Sequence, residues 1–134
     1  LSTVSNTGTL RFMVLKKPLD APTLIKFFTR LCRDADRKVF VILDNLNVHK
    51  ARAVRAWVAA HAEAIALFYL PAYSPELNPD EYLNGDLKLS VAKRAPARDR
   101  DALLRTATTR LRSLQRRPDQ VKKFFHHPRV RYAA

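Results

Sequence analysis

Two short apolar runs, each leading into a loop that carries an acid, constrain this chain more than any other feature. Val39–Leu43 reads VFVIL and stops at Asp44; Ile65–Leu70 reads IALFYL and runs into PAYSPELNPDE. Both runs are too short for a stable helix, and the first is rich in β-branched residues, so both predict strands. The unbroken apolarity of VFVIL predicts a central strand covered on both faces. Between the runs, Val48 to Ala64 predicts a helix, with Val54, Trp57, Val58 and His61 at helical spacing. That spacing places His61 on the apolar side as a core histidine. Strand, helix, strand implies a right-handed crossover connection. Folds of this kind gather their sites at the carboxyl ends of the strands, where Asp44 lies.

Pro71, Pro75 and Pro79 exclude regular structure from the loop after the second run. Asn78 is placed to cap a new helix and Pro79 to occupy its first position. Asp80 and Glu81 then fall in the first turn, where the helix dipole favours negative charge. Asp44 and Glu81 have 36 residues between them (81 − 44 − 1). If the two strands are neighbours, the two carboxylates meet at one end of the sheet, and like charges that close call for a cation. Mg²⁺ or Mn²⁺, hard and oxygen-seeking, suits such a pair and suits phosphodiester chemistry. The residues alone equally allow a loop acid and a helix-start acid that merely serves the dipole. Asp86, on another face of the same helix, is the rival to Glu81. Asn45 and His49 flank Asp44, either supporting the metal-binding acids or lying in a solvated loop. His126 and His127 have no nearby Cys to form a zinc pattern.

The remaining elements follow from turn chemistry and periodicity. Asn6-Thr7-Gly8 predicts the turn of a hairpin. Leu24, Phe27, Phe28 and Leu31 predict a helix over Thr23–Ala35, with Asp20 as its cap. The helix after Pro79 continues through Val91, and Pro96 marks a break. A helix over Asp99–Arg116 follows, with Leu103, Leu104, Ala107, Leu111 and Leu114 as its apolar stripe. A short helix over Pro118–Phe125 completes the series. The 134 residues, 47% apolar, suffice for one domain with a real core. A change of character near Lys88 divides a sheet-containing 1–87 from a basic helical 88–134. The one cysteine, Cys32, falls in an apolar helical pattern and reads as core filler.

The formal charge is +13. From Lys88 onward there are 14 Lys and Arg against Asp99, Asp101 and Asp119, a net +11. A field so concentrated favours a polyanion, of which nucleic acid is the foremost. Lys88, Lys93, Arg94, Arg105 and Arg112 are the candidate backbone contacts. No apolar run reaches the ~20 residues of a membrane helix, and no membrane partner is expected.

The segments LDNLNVHK, YLPAYSPELNPDE and NGDLK, in that order, resemble the catalytic domain of DDE-type transposases, the mariner-like enzymes and their bacterial insertion-sequence relatives. The terminal FFHHPRVRYAA also resembles the way many bacterial members end. The resemblance runs from Gly8 onward. It implies a ribonuclease-H-like α/β fold, a mixed sheet flanked by helices with a basic helical C-terminal extension. It implies DNA strand cleavage and strand transfer with Mg²⁺ or Mn²⁺, and it matches Asp44 and Glu81 to the second and third metal-binding acids. Asn45, His49 and Asn78 would support them. Transposon ends and target DNA would be the partners, engaged by a homodimer, in the bacterial cytoplasm and on the nucleoid. The family's first acid belongs to a strand ahead of the hairpin, so the resemblance also implies an N-terminally truncated domain, catalytically impaired on its own. Two rival readings remain: a non-catalytic DNA-binding remnant of a transposase, and an unrelated metal-dependent nuclease of the same fold.

Overall fold

A computed structural model describes residues 1–92 and 99–134. The expected break at Pro96, and the candidates Lys93 and Arg94, lie outside the described residues. The chain is a mixed α/β protein, compatible with the ribonuclease-H-like class. Its strands hydrogen-bond as two pairs, one antiparallel and one parallel. It forms two compact units. A continuous unit spans Leu15–Pro75, and an interrupted unit is built from Leu1–Val14 and Glu76–Ala134.

The continuous unit begins with α1, Ala21–Arg33. Asp20 caps it by accepting from the Thr23 amide at 2.9 Å, and a proline occupies its first turn. Its apolar stripe, Leu24, Phe27, Phe28 and Leu31, is buried as the spacing requires. Strand β3 (Val39–Leu43) pairs in parallel with β4 (Ile65–Tyr69), Val39 opposite Ile65 and Leu43 opposite Tyr69. The connection passes through a 3₁₀ turn at Asn47–Lys50 and helix α2, Arg52–Ala60. Helix α2 packs on α1, where the Phe28 and Trp57 rings lie 6.3 Å apart.

Two expectations fail in this unit. Strand β3 is not covered on both faces: Val41 is buried, but Phe40 is 66% and Ile42 40% exposed. Apolarity records which side chains avoid water, not how many layers cover them. Here the Phe40 and Phe68 rings shield one another at 6.2 Å, with the Lys38 amine 5.9 Å above Phe40. Nor is His61 a core residue. Helix α2 stops at Ala60, so His61 falls beyond the periodic stretch, exposed, its ring stacked 4.1 Å from that of Trp57.

The interrupted unit opens with the antiparallel hairpin β1 (Ser2–Val4) and β2 (Leu10–Phe12). Gly8 takes φ +92°, which only glycine adopts without strain, and a Cβ there would lie 2.7 Å from the Pro118 Cβ. Helix α3 spans Pro79–Ala92, α4 Arg100–Gln115 and α5 Pro118–Lys122. Asp99 caps α4 through the Ala102 amide at 2.6 Å. Leu10, Leu83, Leu111, Leu114 and Val121 form the core, so the hairpin is closed by residues a hundred positions downstream. The Gln115 side chain donates to the Leu10 carbonyl at 3.0 Å. Leu103, expected in the α4 stripe, is 41% exposed because the buried line of that helix runs through Leu111 and Leu114. Two 3₁₀ turns, Lys123–Phe125 and Pro128–Ala133, complete the chain. No described helix is long and apolar enough to cross a membrane.

Candidate functional site

Asp44 follows directly on β3, half-exposed, in a loop that its own neighbours hold in place. His49 Nδ1 stands 2.9 Å from Asp44 Oδ1 and 3.1 Å from the Asp44 carbonyl oxygen. Both partners are acceptors, which assigns the ring proton to Nδ1 and leaves Nε2 without one in the neutral imidazole. His49 is 5% exposed, so the solvated-loop reading of this residue is overturned. The 3₁₀ turn at Asn47–Lys50 swings the ring back under the loop, and the Tyr69 hydroxyl donates to the His49 carbonyl at 3.0 Å. Asn45 Nδ2 donates to the Leu70 carbonyl, tying the Asp44 loop to the end of β4. The Leu46 amide also faces Asp44 Oδ1, at 3.5 Å. The two contacts to the Asp44 carboxylate, from His49 and from the Leu46 amide, both fall on Oδ1, so Oδ2 can accept a cation without breaking either.

Glu81 belongs to the interrupted unit and sits in the first turn of α3. The cap is as expected from sequence: Asn78 Oδ1 accepts from the Asp80 amide at 3.0 Å, and the Asn78 carbonyl accepts from the Glu81 amide at 3.0 Å. Asp80 is engaged by the Ser2 hydroxyl, 2.9 Å from each carboxylate oxygen. Glu81 is exposed, with the Asn84 side chain donating to Oε1 at 3.3 Å.

Asp86, the rival to Glu81, is committed elsewhere. Arg110 of α4 grips it with two parallel bonds, 2.8 and 2.7 Å, and the pair is about three-quarters buried. This ion pair, with Asp86 as the first cause, raises the Arg110 guanidinium above its ordinary value. A carboxylate already matched by a bidentate arginine is a structural tie between two helices. Sequence spacing gave no sign of it, since Arg110 lies on a different helix.

Among the nucleic-acid candidates, Lys88 is exposed on α3, and Arg105 and Arg112 are exposed on α4. Arg105 and Arg112 are seven positions apart, close to two full turns, so they lie along one side of α4. His127, weighed from sequence only for a zinc pattern, and Arg129 and Tyr132, which the sequence did not single out, converge on the segment carrying Tyr82 and Glu81. Among the described residues, no group of three or more His, Cys, Asp and Glu is placed to hold a metal ion. The donors that Asp44 and Glu81 offer are nevertheless hard carboxylate oxygens, the type Mg²⁺ and Mn²⁺ prefer.

Comparison with known families gives a match over most of the chain. The model of a family described as DDE superfamily endonuclease covers residues 1–104, which include both acids and leave the end of the chain outside. No curated protein sequence matches.

Proposed function

Because this chain belongs to the DDE endonuclease superfamily, we propose that Asp44 and Glu81 are its metal-holding acids and that it serves metal-dependent cleavage and transfer of DNA strands in transposition. The observation that carries this reading is the Asp44 loop, where a buried histidine fixes one carboxylate oxygen and leaves the other open to a cation. Bound Mg²⁺ or Mn²⁺ would supply positive charge to a phosphodiester under attack. The chain's own residues do the positioning. His49 and Asn45 hold Asp44, and Asn78 sets the start of the helix that presents Glu81. Lys88, Arg105 and Arg112, together with Lys93 and Arg94, would contact DNA phosphates without reading sequence. Cleavage and rejoining of two ends would engage a homodimer on DNA.

The test is Mn²⁺ binding, followed by electron paramagnetic resonance, in the intact chain and in Asp44→Asn, Glu81→Gln and Asp86→Asn. Loss of affinity in the first two but not the third is the expected result. Equal affinity in all four proteins would remove the assignment. The reading of the chain as a DNA-binding remnant is favoured by the arginines of α4 and beyond, which continue past the matched region. It predicts DNA binding that needs no metal, is unchanged in Asp44→Ala and falls steeply with salt.

A further inference from the structure

The end of the chain, residues 127–133, lies outside the family match, yet it closes on the segment from Glu76 to Tyr82. The Tyr132 hydroxyl donates to the Leu77 carbonyl at 2.6 Å, one residue before the Asn78 cap. The Tyr82 hydroxyl meets His127 Nδ1 at 2.8 Å, and their rings tilt together with centroids 5.0 Å apart. The Arg129 guanidinium lies 3.6 Å from the Glu76 carboxylate. Val130, between these contacts, is fully buried and anchors the turn.

The polarity of these contacts is consistent. His127 Nδ1 also receives the Arg129 amide at 3.3 Å, so it acts as an acceptor and the Tyr82 hydroxyl donates to it. Tyr132 is half-exposed, and its phenol, protonated at neutral pH, is the donor to the Leu77 carbonyl. The three contacts reach the residues on both sides of Asn78 and Glu81 from partners 45 to 55 positions away. The Pro75–Leu77 turn and the first turn of α3 are also held by the Asn78 cap, by Ser2 on Asp80 and by the Tyr82 hydroxyl, which lies 3.3 Å from the Glu76 carbonyl oxygen.

We infer that the C-terminal segment is a clamp, and that His127 and Tyr132 are positioning residues that fix the first turn of α3 and thereby the placement of Glu81. The inference rests on the reading of Glu81 as a metal ligand for its consequence, but not for the clamp itself. Asn78 alone can start the helix; what the clamp adds is a fixed direction for the turn that carries the acid.

Amide hydrogen exchange and Mn²⁺ affinity, both measured on the full chain, test it with Tyr132→Phe, with Tyr132→Phe/His127→Phe, and with Glu81→Gln. Tyr132→Phe deletes one hydroxyl and leaves the ring. It is expected to speed exchange at residues 80–83 about three- to tenfold, the scale of one hydrogen bond. Exchange at residues 111–114 should stay unchanged. The double variant should speed it further and weaken Mn²⁺ binding, whereas Glu81→Gln should weaken binding without changing exchange. Unchanged exchange at 80–83, or an equal rise at 111–114, would overturn the clamp. If Glu81→Gln weakens Mn²⁺ binding and the double variant does not, the positioning role fails while the ligand reading stands. If Glu81→Gln leaves Mn²⁺ binding intact, the ligand reading fails, and with it the positioning role, while the exchange data still decide the clamp.

Discussion

The two acids are held by opposite strategies. Asp44, in the continuous unit, has its carboxylate fixed from nearby, by His49 five residues on and the Leu46 amide two residues on, while Asn45 ties the same loop to the end of the paired strand in that unit. Glu81, in the interrupted unit, sits on a helix whose start is tied to Ser2 at one end of the chain and Tyr132 at the other. Local fixing comes from one tight turn and survives damage elsewhere. Distant fixing makes the placement of Glu81 depend on the whole of its unit being folded.

The sharpest way to break this contrast is to damage each core in turn. Phe28→Ala removes a fully buried ring from the continuous unit and should cost about 3–5 kcal/mol. Leu83→Ala, equally buried in the interrupted unit, should cost about 2–5 kcal/mol. Denaturant unfolding read by hydrogen exchange should assign each loss to its own unit. If Leu83→Ala leaves the amides around Glu81 protected, distant fixing is refuted.

Gly8→Ala probes the same dependence more gently. The new methyl would meet Pro118 at the start of α5, and positive φ adds strain, for a loss of about 1–3 kcal/mol. Thermal melting with exchange should show the loss in the hairpin and α5, and none around His49. Arg110→Ala should cost about 1–2 kcal/mol, between the values for exposed and buried pairs, because it strands a partly buried Asp86. Restoring stability with Asp86→Leu in the same chain would confirm that the pair is a tie and not a ligand.

The smallest effect concerns pH and the continuous unit alone. The Thr23 hydroxyl, and then its amide, lower the Asp20 carboxyl from its ordinary value. A depressed carboxylate stabilises the fold above its unfolded value, and that contribution disappears as pH falls through the folded one. Acid titration of helix α1 by circular dichroism should therefore show a loss below the ordinary carboxylate range that is shallower in Asp20→Ala.

What could be read in the sequence was whatever depends on near neighbours. The β3–α2–β4 crossover, the Asp20 and Asn78 caps and the Gly8 turn all follow from residues within a few positions. The setting of Asp44 was half legible: Asn45 and His49 were candidates, but only the 3₁₀ turn shows that His49 is buried against the acid. Arg110 on Asp86, and Tyr132 on Leu77, were invisible because no periodicity links residues 24 or 55 positions apart. The exposed Phe40 and Ile42 were misread for a related reason. Their apolarity is local, whereas their cover is decided by other elements.

The interruption itself has a kinetic consequence. Leu15–Pro75 is a 61-residue excursion (75 − 15 + 1) between the two pieces of one unit. A ribosome emitting the chain would release the hairpin about a hundred residues before Leu111, Leu114 and Val121, the core partners of Leu10. Closing so long a loop carries an entropic cost that grows only slowly with length, but it delays the contacts that repay it. The excursion can collapse in the meantime around Phe28 and Val54. The order of maturation is then set by topology: the Asp44 loop can take shape before the Glu81 turn, whose segment waits for contacts as far on as Tyr132.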